Sequence, residues 1–282
     1  MKRLLILAAT VSFCATTYAQ DRFADVQIKS SHVAGSVHML VGAGGNIGVS
    51  AGDDGTLIVD DQFAPLAEKI DAALGVLSDS PTKYVINTHY HGDHTGSNAF
   101  FQTQKGATVF AHENVRIRLA SAEKANKAAL PVVTYNDGVK FHLNGDTIHV
   151  FHLAKGHTDG DSVVWFEKAN VLHSGDLFFK DRFPYIDLGA GGDVKGYIES
   201  VEILLTKISD TTKIIPGHGE LANKADYQRF VAMMKDTYAY VQQKKSDGLS
   251  EEQVLALGLD DKWDAWSWNF INEERWIKTL YQ

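Results

Sequence analysis

The stretch that decides the reading of this chain is His89-Tyr90-His91-Gly92-Asp93-His94, immediately after the apolar run Lys83 to Asn87. Three imidazoles and one carboxylate fall within six residues. The apolar run reads as a short buried strand, and side chains two apart on an extended segment point the same way. His89 and His91 can therefore hold one metal ion together. A turn at Gly92 would swing Asp93 and His94 toward a second. Neutral imidazole and carboxylate are natural zinc donors, and the clustering is too dense for a solvated loop that happens to be rich in histidine.

Outward from this stretch, three more segments repeat one form, a strand followed by a glycine-flanked donor. His157 lies in Gly156-His157-Thr158-Asp159-Gly160-Asp161, Asp176 in Ser174-Gly175-Asp176, and His218 in Pro216-Gly217-His218-Gly219. Glycine lets the backbone turn sharply enough to bring such a side chain inward. Any one of these segments is weak alone; four in series make a constellation.

Around them the pattern predicts tight-turned antiparallel strands over Val37 to Val41, Ile47 to Ser50 and Thr56 to Asp60. Apolar spacing predicts helices over 64–77, 113–129, 194–208, 224–245, 250–257 and 270–281, with another starting near Gly96. Further strands are expected at Thr108 to Ala111, Val139 to Leu143, Thr147 to Leu153, Ser162 to Phe166, Val171 to Ser174 and Lys213 to Ile215. Two sheets packed face to face with helices outside accommodate this order, and no linker divides it.

These motifs resemble the metallo-beta-lactamase superfamily, from about Val37 to His218. The resemblance implies an α/β fold of the four-layer αβ/βα sandwich type, with the site where the two sheets meet. It implies that His89, His91 and His157 bind a first zinc ion and Asp93, His94 and His218 a second, with Asp176 bridging the pair. It further implies a hydrolase whose nucleophile is a hydroxide held between two Zn²⁺, with Asp93 as the catalytic residue that orients it. Family members that hydrolyse beta-lactams usually carry Cys or Ser where this chain has Asp176. Thioester and lactone hydrolases of the glyoxalase II and lactonase kinds share that aspartate. A beta-lactam or other cyclic amide or ester is the first substrate expected, with thioester or lactone hydrolysis and mono-iron persulfide dioxygenation as the other readings.

The start of the chain reads as a signal peptide over residues 1–19. Lys2 and Arg3 precede the apolar runs Leu4 to Ala9 and Val11 to Ala15, and Thr17-Tyr18-Ala19 offers a small-x-small cleavage site. An uncleaved anchor is the alternative, although the apolar run is short for a bilayer. Bulky Phe13 before Cys14 speaks against a lipoprotein. Cleavage would leave residues 20–282 as one metallo-beta-lactamase-fold domain with a C-terminal helical cap, periplasmic or secreted. It would remove the only cysteine, which suits an oxidising compartment.

Loss of Lys2 and Arg3 takes the net charge from −8 to −10. A surface this acidic repels nucleic acid and anionic membrane, leaving a small molecule as the expected partner. Gly42-Ala43-Gly44-Gly45 lacks the Lys-Ser/Thr ending of a phosphate loop and reads as a hairpin turn. His173, three residues before Asp176, is a candidate to support the ligands, as are Asp159 and Asp161. His32, His38, His112, His142, His149 and His152 have no ligand-like setting. Phe178, Phe179, Phe183 and Tyr185 are candidates for a pocket wall or for plain core. Trp263, Trp266, Trp268, Phe270 and Trp276 read as a closing cap.

Overall fold

The computed structural model describes residues 22–282; the signal-peptide reading over residues 1–19 falls outside them. Two sheets form the centre. The first has seven strands in sequential order: β1 (Lys29–Ala34), β2 (Val37–Val41), β3 (Ile47–Ser50), β4 (Thr56–Val59), β5 (Thr82–Ile86), β6 (Thr108–His112) and β7 (Val133–Tyr135). β1 to β4 pair antiparallel, and β4 to β7 pair parallel. The second sheet has six strands, β8 (Gly138–Leu143), β9 (Asp146–His152), β10 (Ser162–Phe166), β11 (Val171–Phe179), β12 (Lys213–His218) and β13 (Ala222–Asn223), ordered β13-β12-β11-β10-β9-β8. Only β11 and β12 pair parallel in it.

Strand alternation explains the layering. Leu57 and Val59 of β4 face the other sheet and meet Val150, Val164 and Ile215 in the seam. Ile58, between them, faces outward against α1 (Ala67–Leu77), where Ile70 and Leu74 wait for it. The second sheet does the same, Val171 turning inward and Leu172 outward. Its outer face is covered by α5 (Val194–Lys207), α6 (Lys224–Ser246), α7 (Glu251–Leu257) and α8 (Glu273–Tyr281). Full burial of side chains such as Leu57 or Val201 contributes about 1.5–3 kcal/mol each, so a period-2 strand with both faces apolar is stable only between two further layers. The four-layer expectation is met.

Several boundaries differ from the sequence expectation. The helix expected over 113–129 stops at Ser121 as α4 (Glu113–Ser121), because Ala122 is extended. The last helix begins at Glu273, not at 270, capped by Asn272. β11 is five residues longer than Val171 to Ser174, and all nine of its residues are buried. Its register against β12 shifts on both sides of Gly175, whose φ of +51° is open to glycine and costly for most residues. That irregularity places Asp176 at the sheet edge. Short helices α2 (Gly92–Thr95) and α3 (Asn98–Gln104) follow β5.

Candidate metal centre

The loops after β4, β5 and β9, the irregular end of β11 and the end of β12 converge on one edge of the sandwich. All seven candidate donors stand there. His89, His91, His157 and Asp176 form one group and Asp93, His94 and His218 another, with the donor atoms of each group within 4.8 Å of one another. Asp176 faces both. Its Oδ2 lies 3.8 Å from His89 Nε2 and 3.5 Å from His157 Nε2, and its Oδ1 lies 3.1 Å from His94 Nε2 and 3.4 Å from His218 Nε2. Asp93 Oδ2 lies 3.6 Å from His94 Nε2 and 3.4 Å from His218 Nε2.

The outward-facing ring nitrogens fix the tautomers, because each meets an acceptor. His157 Nδ1 donates to the Tyr185 carbonyl at 2.7 Å. His91 Nε2 donates to Asp187 Oδ2 at 3.0 Å, an oxygen that also accepts from Tyr90 Oη at 2.5 Å. His94 Nδ1 donates to Asp60 Oδ2 at 2.8 Å. His89 Nδ1 lies 3.0 Å from Thr88 Oγ1, whose own proton goes to Asp60 Oδ2. The cluster-facing nitrogens of His89, His91 and His157 therefore carry lone pairs, and that of His94 would do so once a cation replaced its proton. His157 Nε2 and His91 Nδ1 approach to 2.8 Å, lone pair toward lone pair. His89 Nε2, His94 Nε2 and Asp176 Oδ1 are buried with no hydrogen-bond partner. Buried polar atoms are almost always satisfied, and a cation held among these atoms would satisfy all three.

The electrostatics agree. Burial holds the His157 ring down at about 4, and burial with the neighbouring histidines holds His89 well below its ordinary value. Burial also works against protonating His218 and His94, but Asp176 with Asp93 raises His218 to about 9, and Asp176, Asp93 and Asp60 raise His94. Burial would raise Asp93, yet His94 and the bond from His218 bring it to about 2. The carboxylates thus draw positive charge onto His94 and His218 while His89 and His157 stay neutral, and a divalent cation held there would take the place of the two protons.

Supporting groups were only partly visible in the sequence. Asp60 and Asp187, which orient His94, His89 and His91, were not singled out. Neither was Asn46, whose Nδ2 donates to the Pro216 and Gly219 carbonyls, 2.8 Å each, while its carbonyl oxygen accepts from His173 Nε2 at 3.1 Å. It clamps the loop after β2 to the loop that carries His218. Asp161 accepts from Thr158 N and Oγ1 beside His157, and Arg118 grips Asp159 with two 2.7 Å bonds. The glycine run lies against the metal edge, where a Cβ on Gly45 would stand 2.2 Å from His94 Cε1. His32, His38, His112, His142, His149 and His152 belong to neither donor group. Phe178 and Phe183 are core. Phe179, also buried, stacks on His218 at 5.0 Å, and Tyr185 packs 5.6 Å from His91.

Comparison with known proteins follows the same outline. The family model of the metallo-beta-lactamase superfamily matches residues 41–218. The chain is 31% identical over 140 residues to metallo-beta-lactamase IND-1 of Chryseobacterium indologenes, covering 50% of this chain and 56% of that protein. It is 33% identical over 129 residues to a hydroxyacylglutathione hydrolase of Methylococcus capsulatus, covering 45% and 44%. The chain thus spans about half the length of these relatives. In fold it is similar to a metallo-beta-lactamase from Pontibacter korlensis, with a TM-score of 0.64 and 20% identity over 74% of this chain and 99% of that one. It is similar also to metallo-beta-lactamase IND-7, with a TM-score of 0.63 and 23% identity over 75% and 99%. A family match over well over half its residues, on a fold and donor set of this kind, shows that the chain belongs to the metallo-beta-lactamase superfamily.

Proposed function

We propose that the chain is a dinuclear zinc-dependent hydrolase of a cyclic amide or ester, with a beta-lactam as the first substrate class. One observation carries this reading: two complete donor groups are joined by a single carboxylate that presents one oxygen to each. His89, His91 and His157 would hold one zinc ion, Asp93, His94 and His218 the other, and Asp176 would lie between. The donors are imidazole and carboxylate without thiolate, a set that zinc accepts. Bound zinc supplies Lewis acidity toward an acyl oxygen and brings the pKa of a water near neutral.

The residues do the rest. The low pKa of Asp93 keeps it a carboxylate throughout the neutral range. It orients a nucleophilic water by accepting its hydrogen bond, and is too weak a base to keep the proton. Asp187 and the Tyr185 carbonyl hold His91 and His157 in one tautomer. The extra negative charge of Asp176 reduces the site's hold on the anionic nitrogen released from an amide, so beta-lactam turnover should be weak. The same aspartate, with the likeness to hydroxyacylglutathione hydrolase, favours a second reading, hydrolysis of a thioester or lactone. A mono-iron persulfide dioxygenase needs fewer donors, and the complete second group speaks against it. The proposal includes a cleaved leader and a periplasmic or secreted mature chain, supported by the leader's residues alone; among the described residues no helix is long and apolar enough to cross a membrane.

Elemental analysis of purified protein, followed by turnover of a chromogenic cephalosporin, a lactone and a thioester, tests the reading. Close to two zinc ions and chelator-sensitive hydrolysis are expected. Thioester turnover without any beta-lactam turnover would favour the second reading. One iron with oxygen consumption on a persulfide would overturn both.

A further inference from the structure

The loop from Asp60 to Phe63, between β4 and α1, lies in the interior although a loop ordinarily meets water. Asp60, Asp61 and Gln62 are each fully buried. Two of them stand in the left-handed region, Asp60 at φ +65° and Gln62 at φ +55°. Aspartate enters that region readily, whereas glutamine does so at a cost. Such backbone persists only where its surroundings over-determine it. The loop has a task at the metal edge. Asp60 accepts from His94 and Thr88, Asp61 N donates to the His94 carbonyl at 3.0 Å, and Gln62 Nε2 donates to the Gly45 carbonyl at 2.7 Å. These bonds act on the Asp93–His94–His218 side; His89 is reached through Thr88.

The first described segment of the chain holds this loop from behind. Phe23 is buried, and its ring lies 5.3 Å from that of Phe63. Arg22 covers both rings, 4.4 Å over Phe23 and 5.1 Å over Phe63. On its other side Phe63 abuts Gly44, where a Cβ would come within 3.3 Å of Phe63 Cε2 and 2.9 Å of Asp93 Cβ. Ile28 presses on the same glycine run, since a Cβ on Gly42 would meet Ile28 Cδ1 and Gln62 Oε1 at 2.5 Å each. Residues 23–28 precede β1 and belong to no strand, so sheet pairing does not fix them. Lys69 of α1 does. Its Nζ donates to the Phe23, Ala24 and Val26 carbonyls at 3.0, 2.6 and 2.9 Å. An ammonium has three protons to donate, and all three go to this one turn.

Bonds from a charged donor are the strong ones, so three of them on one turn make a firm clasp. We propose that residues 23–28 form a strap that keeps the Asp60–Phe63 loop in its left-handed form, and that Lys69, as a positioning residue, thereby sets the zinc affinity of the Asp93–His94–His218 group. Phe23, Ile28 and Lys69 are not donors themselves; they act through Phe63 and Gln62. With the strap unfastened the loop relaxes toward extended backbone, and Asp60 leaves His94 Nδ1. The His89–His91–His157 group takes its orientation from Thr88, Asp187 and the Tyr185 carbonyl and feels the strap only through Thr88. This deepens the dinuclear reading and rests on it for the number of ions, although not for the behaviour of the loop.

The test uses the full-length chain, with zinc itself as the probe. Competition against a chromophoric chelator should show one of the two zinc ions weakened about tenfold or more in Lys69→Met, the scale on which loss of an outer partner acts, with the other nearly unchanged. Lys69→Arg keeps the charge and the donors and should restore most of the affinity. In a His218→Ala background, where the Asp93 group is already broken, Lys69→Met should leave the affinity of the remaining ion as it was. Hydrogen exchange on the metal-free protein reads the loop directly: Lys69→Met should speed exchange over 60–63 and 94–97 and leave β11 and β12 protected. Should Lys69→Met fail to fold, Phe23→Leu, which gives up the ring contact on Phe63, should show the same pattern more weakly. Unchanged exchange in the loop overturns the proposal. So does a zinc affinity that stays put while the loop loosens, and so does equal weakening of both ions with faster exchange throughout, which would make the strap a matter of general stability. A wild type that holds one ion sinks the dinuclear reading alone, because loop exchange still decides the strap. Two ions, one of them strap-dependent, without hydrolysis of any amide, ester or thioester sink the hydrolase reading alone.

Discussion

Asp60→Asn exchanges one oxygen for an amide nitrogen and changes nothing else of size. The backbone should tolerate it, because Asp60 has φ +65° and asparagine enters the left-handed region as readily as aspartate. The wild-type carboxylate is fully buried and accepts three bonds, Oδ1 from Thr88 N at 2.7 Å and Oδ2 from Thr88 Oγ1 and His94 Nδ1 at 2.8 Å each. An amide offers one oxygen. If that oxygen faces Thr88 N, the NH₂ meets His94 Nδ1–H. His94 must then move its proton to Nε2, the nitrogen 3.1 Å from Asp176, and loses the lone pair a metal needs. If the amide flips, a buried backbone N–H is orphaned, at about 1–3 kcal/mol of stability. Loss of such an outer partner weakens metal affinity about 10- to 100-fold, or about 1.4–2.7 kcal/mol. Zinc titration against a competing chromophoric chelator should show the Asp93–His94–His218 group weakened by that factor, and the other group less, through Thr88. A folded variant whose two zinc affinities match the wild type would refute the tautomer argument.

Gly45→Ala should displace His94, since the new Cβ would overlap its ring; metal analysis should show loss from the same group, and two retained ions would contradict the packing. Asp176→Ala removes the shared carboxylate and should lower zinc content from two toward one, read by elemental analysis. His112 stacks on His152 at 3.9 Å, and burial, then His152, lowers its pKa to about 4 from 6.5. The unfolded chain therefore binds more protons between those values, and stability should fall as pH drops from about 6.5 to about 4. His112→Asn offers an amide oxygen in place of Nδ1 to accept from Asn114 N and should flatten that slope in denaturant titrations; an unchanged slope would remove His112 as its cause.

What the sequence made legible was what repeats at short range. The apolar runs of β3, β4 and β10 gave strands, and glycine beside histidine or aspartate at a strand end marked the donors. What it hid depends on partners far along the chain. Asp60 and Asp187 look like ordinary turn residues, because the histidines they orient lie 34 and 96 positions away. β1 was not expected because four of its six residues are exposed, so no alternation marks it; pairing with β2 makes it a strand. β11 was cut short because Gly175-Asp176 reads as a turn, whereas burial on every side carries the strand through that irregularity to Phe179. Ring count alone cannot say which face a ring shows: Trp268 packs on the core as a cap residue would and also stands 6.5 Å from His218, while Phe270 is exposed.

The two donor groups are each divided between the sheets. His89, His91, Asp93 and His94 follow strands of the first, while His157, Asp176 and His218 belong to the second. Neither half of the chain can assemble a complete group by itself, so occupancy reports whether the halves have closed on each other. By mass action, a cation at a hundred times its dissociation constant favours the closed sandwich by about 2.7 kcal/mol. Free metal concentration thereby becomes a control on the lifetime of the sandwich against opening along its seam, and metal-starved protein should be cut first by proteases where the two halves meet.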